Sequence, residues 1–518
     1  FKGNELLIGT YNEGLLIYKN GGREVFETEV DSLLKKSTNY TSITLPDNSH
    51  AFLTFKNGIV VMDTLGKLIL QIKKEHLLNS NPHNAFFDDN GLLWIMLNDG
   101  IANIEYPSPF TFYGKSEGIN SRIQKIINFQ NKTFVATSNG LFSKNLNSNS
   151  KKFSLYKKFD EKIWDLVHFK NTLLVASNHG ILQIEDDALV QIVEEEPSAM
   201  LVSKLDPNRV FITTSQGLIS LYHDDNSWVN EGKITCVIGA TYTIVEMSSG
   251  DLWLETSQSN VWHINFKNLE DAKKLKNPIC TKYGPEDGLP IGYGNIFKIK
   301  DKLYLTAEYE NEFSQKKIKT LEFDSANSKF LESKEIKLLL NQERNNDIDI
   351  IEIDNYENVW FKSIDEKNNF KAFVAWNEAG NYKVDGLNQE RIFEMYGGSQ
   401  TVFYEKERKY LWITGENKII QQSLDLQKHK NRGEAFYTVI TKIFYQNDSL
   451  LFGGYKSSVL HQIPFKNNQL RFQYASPSFY EEEKNQFQYI LEGFDEDWSE
   501  WSSETKKDYT NIPGGDYS

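Results

Sequence analysis

The sequence predicts an all-β protein, and three observations carry that prediction. Aromatic residues are abundant: 33 Phe, 25 Tyr and 10 Trp make up 13% of 518 residues, and such rings suit pleated, half-buried surfaces. A unit of apolar strand, short polar turn and second apolar strand recurs about every forty residues. Long runs with the three-and-four spacing of an amphipathic helix are missing. Only LLKK near residue 33 and KEIKLLL from residue 334 read as short loop helices.

The recurring unit is clearest in LLIGTYNEGLLIY, FLTFKNGIVVM, WIMLNDGIANI, FVATSNGLFSK, LVASNHGILQI and FITTSQGLISL. Its glycines fall at Gly14, Gly58, Gly100, Gly140, Gly180 and Gly217, in steps of 44, 42, 40, 40 and 37. The last turn residue needs a positive φ, which glycine adopts without steric cost, so the two strands fold back as a hairpin. Asn90-Gly91 marks a further tight turn ahead of LLWIM. Looser copies follow, led by Trp253, Tyr304, Trp360 and Trp412, which brings the count to ten. Four short antiparallel strands per copy, with a large apolar residue at a fixed place, is the pattern of a β-propeller.

Composition narrows the function classes. Net charge is −14 with no long basic run, which argues against nucleic acid or an anionic membrane surface as the partner of this segment. No stretch approaches the roughly 20 apolar residues of a membrane span. The sequence opens at Phe1 without initiator Met or signal peptide and stops at PGGDYS while a strand pattern is still running. It therefore reads as a piece of a longer protein at both ends. Cys236 and Cys280 are the only cysteines; buried free thiols are the plainer reading, a single bridge the alternative. Phosphate-binding, nucleophile-elbow and HExxH motifs are absent and the nine histidines lack ligand spacing. The reading is therefore no cofactor, no metal and no catalytic residues. Asp88-Asp89-Asn90-Gly91 and Asp495-Glu496-Asp497 read as turns rather than calcium loops.

The copies, best seen in DDNGLLWIMLNDGIANIE at 88–105, resemble the two-component regulator propeller repeat of bacterial sensors. From about residue 437 the rhythm changes. There FQYILEGFDEDW, DYTNIP and PGGDY resemble the three-tyrosine (Y_Y_Y) domain that follows such propellers, with Tyr489, Gly493, Trp498, Tyr509 and Tyr517 as its markers. The resemblance covers nearly the whole chain. It implies seven-bladed rings followed by an immunoglobulin-like β-sandwich. Residues 1–112 would be the last three blades of an N-terminal propeller, 113–432 a seven-bladed propeller and 437–518 the three-tyrosine domain, cut short. YPSPFTFYGKSEGI resembles the junction between rings. Within the sandwich, alternate Phe472, Tyr474, Phe487, Tyr489 and Leu491 give one buried face, and Trp498 and Trp501 are expected to cap an end.

The resemblance further implies a periplasmic ectodomain of Bacteroidetes type, acting as a homodimer that binds an oligosaccharide or other small ligand. A C-terminal membrane helix would lead to a histidine kinase or to a LuxR-type helix-turn-helix. Sugars need an aromatic platform with amide and charged hydrogen-bonding groups beside it. Trp164-Asp165, Asn178-His179 in the turn of the same copy, and Trp228 are the candidate ligand residues. Two rival readings stand beside the sensor. One is a scaffold in an envelope or secretion complex, the other a glycan-degrading propeller enzyme.

Overall fold

The computed structural model describes residues 5–518 apart from 36, 38, 89–90, 149–150, 186–187, 225–226, 257–259, 311–315, 343–345, 366–369, 388–400, 426–436, 447–448, 455–461 and 480–484. Asp89 and Asn90 of the expected turn therefore lie outside the described residues. The chain divides into two compact units, parted between residues 427 and 428. No helix among the described residues is long and apolar enough to cross a membrane.

The first unit is nearly all β. Its described residues hold ten antiparallel sheets, one for each copy of the repeat. Three come first, over 6–26, 39–72 and 82–105, with three, four and three strands. Seven four-stranded sheets follow, spanning 123–155, 163–193, 197–233, 241–283, 292–332, 347–387 and 402–423. The seventh takes its fourth strand from far upstream: Phe110–Tyr113 pairs with Ile419–Ser423, with Phe110 opposite Gln422 and Tyr113 opposite Ile419. The short helices expected near 33 and 334 are present as Asp31–Leu34 and Lys334–Leu339.

The second strand of each sheet explains the repeat. Lys132–Thr137, Thr172–Ser177 and Arg209–Thr214 are almost wholly buried, because neighbouring sheets cover both of their faces. That is why these strands read as continuous apolar runs instead of alternating. The large residue at the fixed place is a core anchor: Phe134, Tyr304, Trp360 and Trp412 are each 1% exposed. Indole donors buried this way need acceptors. Trp360 and Trp412 donate Nε1–H to Asp354 and Glu405 at 3.0 and 3.1 Å, and the half-buried Trp94 donates to Asp88 at 2.7 Å, each carboxylate lying just upstream of the strand carrying its tryptophan.

The hairpin turn uses a second device beside its glycine. The hydroxyl three or four residues earlier donates to the turn's last carbonyl, from Thr10 to Gly14, Thr54 to Gly58, Thr137 to Gly140, Ser177 to Gly180 and Thr214 to Gly217, at 2.8–3.1 Å. Gly180 has φ 113° and a Cβ there would lie 1.9 Å from the Val193 carbonyl oxygen, so both backbone conformation and space demand glycine. Gly100 differs from expectation, since its φ is not positive. Asn260 holds the corresponding place in a later copy by accepting from Thr256 at 3.1 Å.

The cysteines correct the plainer sequence reading. Cys236 and Cys280 form a disulfide with Cα atoms 6.0 Å apart. It ties the connection after the third sheet to the outermost strand of the fourth, Ile279–Tyr283. Sequence spacing gave no sign of it, because the two residues meet only once the third and fourth sheets stand side by side.

The second unit contains one four-stranded sheet in the order Ser449–Phe452, Val439–Tyr445, Leu470–Ala475, Lys506–Tyr509. A bridge between Phe487 and Ser502 is the further pairing among its described residues. Leu491, Tyr509 and Ile512 form its core, with Tyr489, Tyr517, Leu470 and Phe472 packed around them. Tyr509 donates to Asp495 at 2.6 Å and Tyr517 to the Pro513 carbonyl at 2.9 Å. Gly493 turns at φ 89° against the Tyr517 ring. Trp498 and Trp501 do not cap this core: they are 60% and 61% exposed and do not belong to its packed cluster.

The disulfide closes a loop of 44 residues, which restricts the unfolded chain by about 4 kcal/mol on the loop-entropy relation. Replacing both cysteines by serine should lower the unfolding midpoint by several degrees in thermal melts, and adding reductant to the double variant should change nothing further. An unchanged midpoint would show that the bridge contributes no stability.

Candidate functional site

Antiparallel pairing sorts the turns of the seven sheets onto two ends. Turns joining strands two and three, and the connections from each sheet to the next, share one end; turns between strands one and two and between three and four share the other. At the first end a small irregularity recurs. In the four first strands of the sheets at 123–155, 163–193, 197–233 and 241–283, the register slips by one residue near the start, between Ile123 and Lys125, Ile163 and Asp165, Pro197 and Ala199, and Thr241 and Thr243. Each slip is a β-bulge, which throws one extra side chain out of the ladder. The residues thrown out are Gln124, Trp164, Ser198 and Tyr242.

Trp164 is therefore presented at this end, 36% exposed. Its Nε1–H donates to Asn178 Oδ1 at 2.9 Å, and the Lys162 ammonium lies 3.2 Å from the ring centroid. His179 Nδ1 pairs with Glu161 Oε2 at 2.6 Å. Burial, with Arg122 nearby, holds the Lys162 ammonium below its ordinary pKa. Three of the five residues expected from sequence, Trp164, Asn178 and His179, thus come together, joined by Lys162 and Glu161. Tyr242 is 47% exposed at the same end, and Ile238 and Ile291, on the connections flanking the fourth sheet, are 77% and 81% exposed.

The other two do not join them. Asp165, the residue after the bulge, turns toward the space enclosed by the first strands. Its carboxylate accepts the backbone N–H of Leu166 and of Met200, both at 2.8 Å. Burial pushes this carboxyl and that of Glu352 above their usual values, against the pull of Lys125, whose Nζ lies 3.9 Å from Glu352. Glu352 in turn raises Lys125. Alternation along a strand placed Asp165 beside Trp164 in sequence and on the opposite side in space. Trp228 sits on an outermost strand, Trp228–Lys233, with its ring 4.7 Å from Phe169 and its Nε1–H donating to Gln183 at 2.7 Å. It fastens the third sheet to the second.

A further group was missed by sequence reasoning. Glu255, on the second strand of the fourth sheet, is 7% exposed, and burial lifts its carboxyl to about 8 against a weak donation from Thr243 at 3.5 Å. In sequence it is one polar letter at the end of LWLET, with nothing to show that both faces of that strand are covered.

With this geometry in hand, comparison with known proteins is informative. Neither a family model nor a curated protein sequence matches the chain. Among solved structures, the extracellular domain of a putative hybrid two component system from B. thetaiotaomicron aligns with 99% of this chain and 73% of its own, at 16% identity and a TM-score of 0.65. The two share a fold. A similar domain from a putative one component system of the same organism covers 99% of this chain and 70% of its own, at 14% identity and a TM-score of 0.44. Virginiamycin B lyase from Staphylococcus aureus covers 61% of this chain and 99% of its own, at 13% identity and a TM-score of 0.37. At the level of fold, the resemblance read from the repeats to extracellular domains of bacterial sensor systems holds.

Glu255 supplies a pH test. A carboxyl with a folded pKa near 8 and an unfolded value near 4.5 stays neutral in the fold while the unfolded chain ionises. Its contribution to stability is therefore lost as pH rises from about 4.5 to about 8, by about 5 kcal/mol in all. Glu255→Gln should flatten that decline and unfold at a higher temperature than the parent near pH 8. Parallel pH profiles of the two proteins would show that the carboxyl is ionised in the fold.

Proposed function

We propose that the chain is the ligand-sensing ectodomain of a membrane-anchored signalling protein, located in the periplasm and recognising oligosaccharides. The observation that carries this reading is the fold shared over 99% of the chain with the extracellular domain of a putative hybrid two component system. In this reading the seven sheets from 123 to 423, completed by Phe110–Tyr113, make one seven-bladed propeller. Residues 1–109 are the last three blades of another, the expected boundary at 112 moving back because Phe110–Tyr113 pairs with Ile419–Ser423, and 437–518 form an immunoglobulin-like three-tyrosine domain that passes the signal on. The segment binds without catalysing, and two copies act as a pair. The Cys236–Cys280 bridge suits an oxidising compartment.

The ring end carrying Trp164 is the proposed contact face. A bulge fixes where the indole emerges, Asn178 fixes its orientation, and Tyr242, Ile238 and Ile291 are further exposed apolar groups at the same end. Exposed apolar groups rimmed by His179, Glu161 and Lys162 fit a ligand with both C–H faces and hydroxyl edges. Binding between paired rings would favour one packing of the ectodomains over another, which is how an external ligand reaches an internal output.

Thermal unfolding against a panel of plant, algal and host-glycan oligosaccharides tests this directly. A sugar at about 100 times its Kd should stabilise the protein by ~2.7 kcal/mol, without being consumed. Trp164→Ala, a surface change, should abolish the shift while leaving the unliganded midpoint in place. Turnover of the sugar would establish the enzyme reading instead. No shift from any sugar, with a protein partner recovered, would establish the scaffold.

A further inference from the structure

We infer that a groove between the fourth and fifth sheets, at the opposite end of the ring from Trp164, is a second binding site, and that it takes a short cationic amino-sugar oligosaccharide. The groove encloses about 640 Å³, within the range of ordinary ligand pockets and large enough for two or three sugar rings. It is built from the turn at 247–251 of the fourth sheet, the start of Lys302–Glu310, and the third and fourth strands of the fifth sheet with the turn between them.

Its walls have two characters. Met247, Leu303, Phe323 and Leu331 give an apolar side, and Leu331 is 50% exposed. Behind them Trp253 stacks on His263 with centroids 3.9 Å apart and planes 5° from parallel, while Phe323 packs against Trp253 at 4.6 Å. The His263 ring is fixed at its other edge by Asp251 at 3.1 Å. The lining also holds five carboxylates, Asp251, Asp301, Glu322, Asp324 and Glu332, with two ammonium groups, Lys302 and Lys334; Lys298 and Lys337 pair with Asp301 and Glu332 from beside the groove, both at 3.7 Å, so the carboxylates still outnumber the cations by one. Lys302 is already held between Glu322 at 3.0 Å and Glu335 at 2.5 Å. Ser249 and Ser325 add hydroxyls along the rim.

An apolar face opposite a dense polar edge matches a pyranose ring, which has C–H groups on its faces and hydroxyls around its rim. The excess of carboxylates selects the sign of the ligand's charge: uronate or sulfated sugars are repelled, and protonated amino sugars attracted. Asp324 accepts one donor on each oxygen, from Ala326 N–H and Asn327, and Glu332 has a single ion pair with Lys337 at 3.7 Å, so both keep lone pairs that an ammonium reaches without displacing those bonds. This site does not depend on what binds at Trp164, and either can fail alone.

Isothermal titration calorimetry on the full chain, at mildly acidic pH, distinguishes the possibilities. The probe is the trimer of β-linked glucosamine, compared with its fully N-acetylated form and with spermidine. We expect one trimer bound per chain, with affinity for the acetylated form weaker by roughly tenfold or more, since each charge-assisted bond lost is worth at least that factor. Spermidine should bind as weakly as the acetylated form, lacking the ring faces. The double variant Asp324→Asn with Glu332→Gln changes exposed turn and strand positions and should lose roughly tenfold for the trimer, while Trp164→Ala should leave its affinity unchanged. No binding of the trimer, equal affinity for the acetylated trimer or for spermidine, or indifference to the double variant would each overturn the proposal.

Discussion

Four residues join the two ends of the run of seven sheets. Phe110–Tyr113 complete the seventh sheet by pairing with Ile419–Ser423, so the first and last parts of a span of more than three hundred residues share one ladder. The joint is reinforced by side chains. Tyr113 donates to Gln421 at 2.9 Å and stacks on Trp412 at 5.6 Å, and Trp412 and Ile419 share a core with Ile119, Ile123 and Ile126 of the first sheet's region. One turn further, the Ile123 N–H donates to the Glu416 carbonyl. Without this pairing the outer edge of Ile419–Ser423 would present unpaired backbone, and the first strands would lose the closure that sets their bulged starts at one end.

Much of this was legible in the sequence, for identifiable reasons. Strands covered on both faces must be apolar throughout, and a two-residue hairpin between them needs glycine, so the same letters recur wherever the same packing does. The anchors Phe134, Tyr304, Trp360 and Trp412 were readable because a fixed place in each sheet meets the same core. What escaped notice depends on neighbours distant in sequence. The Cys236–Cys280 bridge, the neutral Glu255 and the inward turn of Asp165 all follow from which sheet stands beside which. The bulges escaped because one inserted residue leaves the apolar pattern of a short strand intact. The serine and threonine hydroxyls of the hairpins were visible, and their donation to the turn carbonyl is the part of the motif that sequence reading passed over.

The candidate site shows the same division. Trp164, Asn178 and His179 lie on a first strand and on the turn of the same sheet, so local reasoning brought them together. Trp228 belongs to an outer strand of the next sheet, where its aromatic surface serves packing against Phe169 and its N–H serves Gln183. The two ends of the seven sheets differ in chemistry. One presents aromatic and aliphatic side chains on bulges and connections, the other carboxylates gathered by turns. Between them, the first strands carry Lys125 with Glu352 and Asp165, a partly exposed set in which Lys125 lies 3.9 Å from Glu352.

The long reach of the closing strand also sets a clock on the protein's birth. Tyr113 and its partner Gln421 are 308 positions apart, and a ribosome adding 5–20 residues per second takes about 15 to 60 s to cover that distance. Throughout that interval Phe110–Tyr113 exists without its ladder, while six sheets are made behind it. The nascent chain must remain unaggregated with that segment waiting, so it is the last strands of the first unit to emerge, near residue 420, that decide when this unit can finish folding.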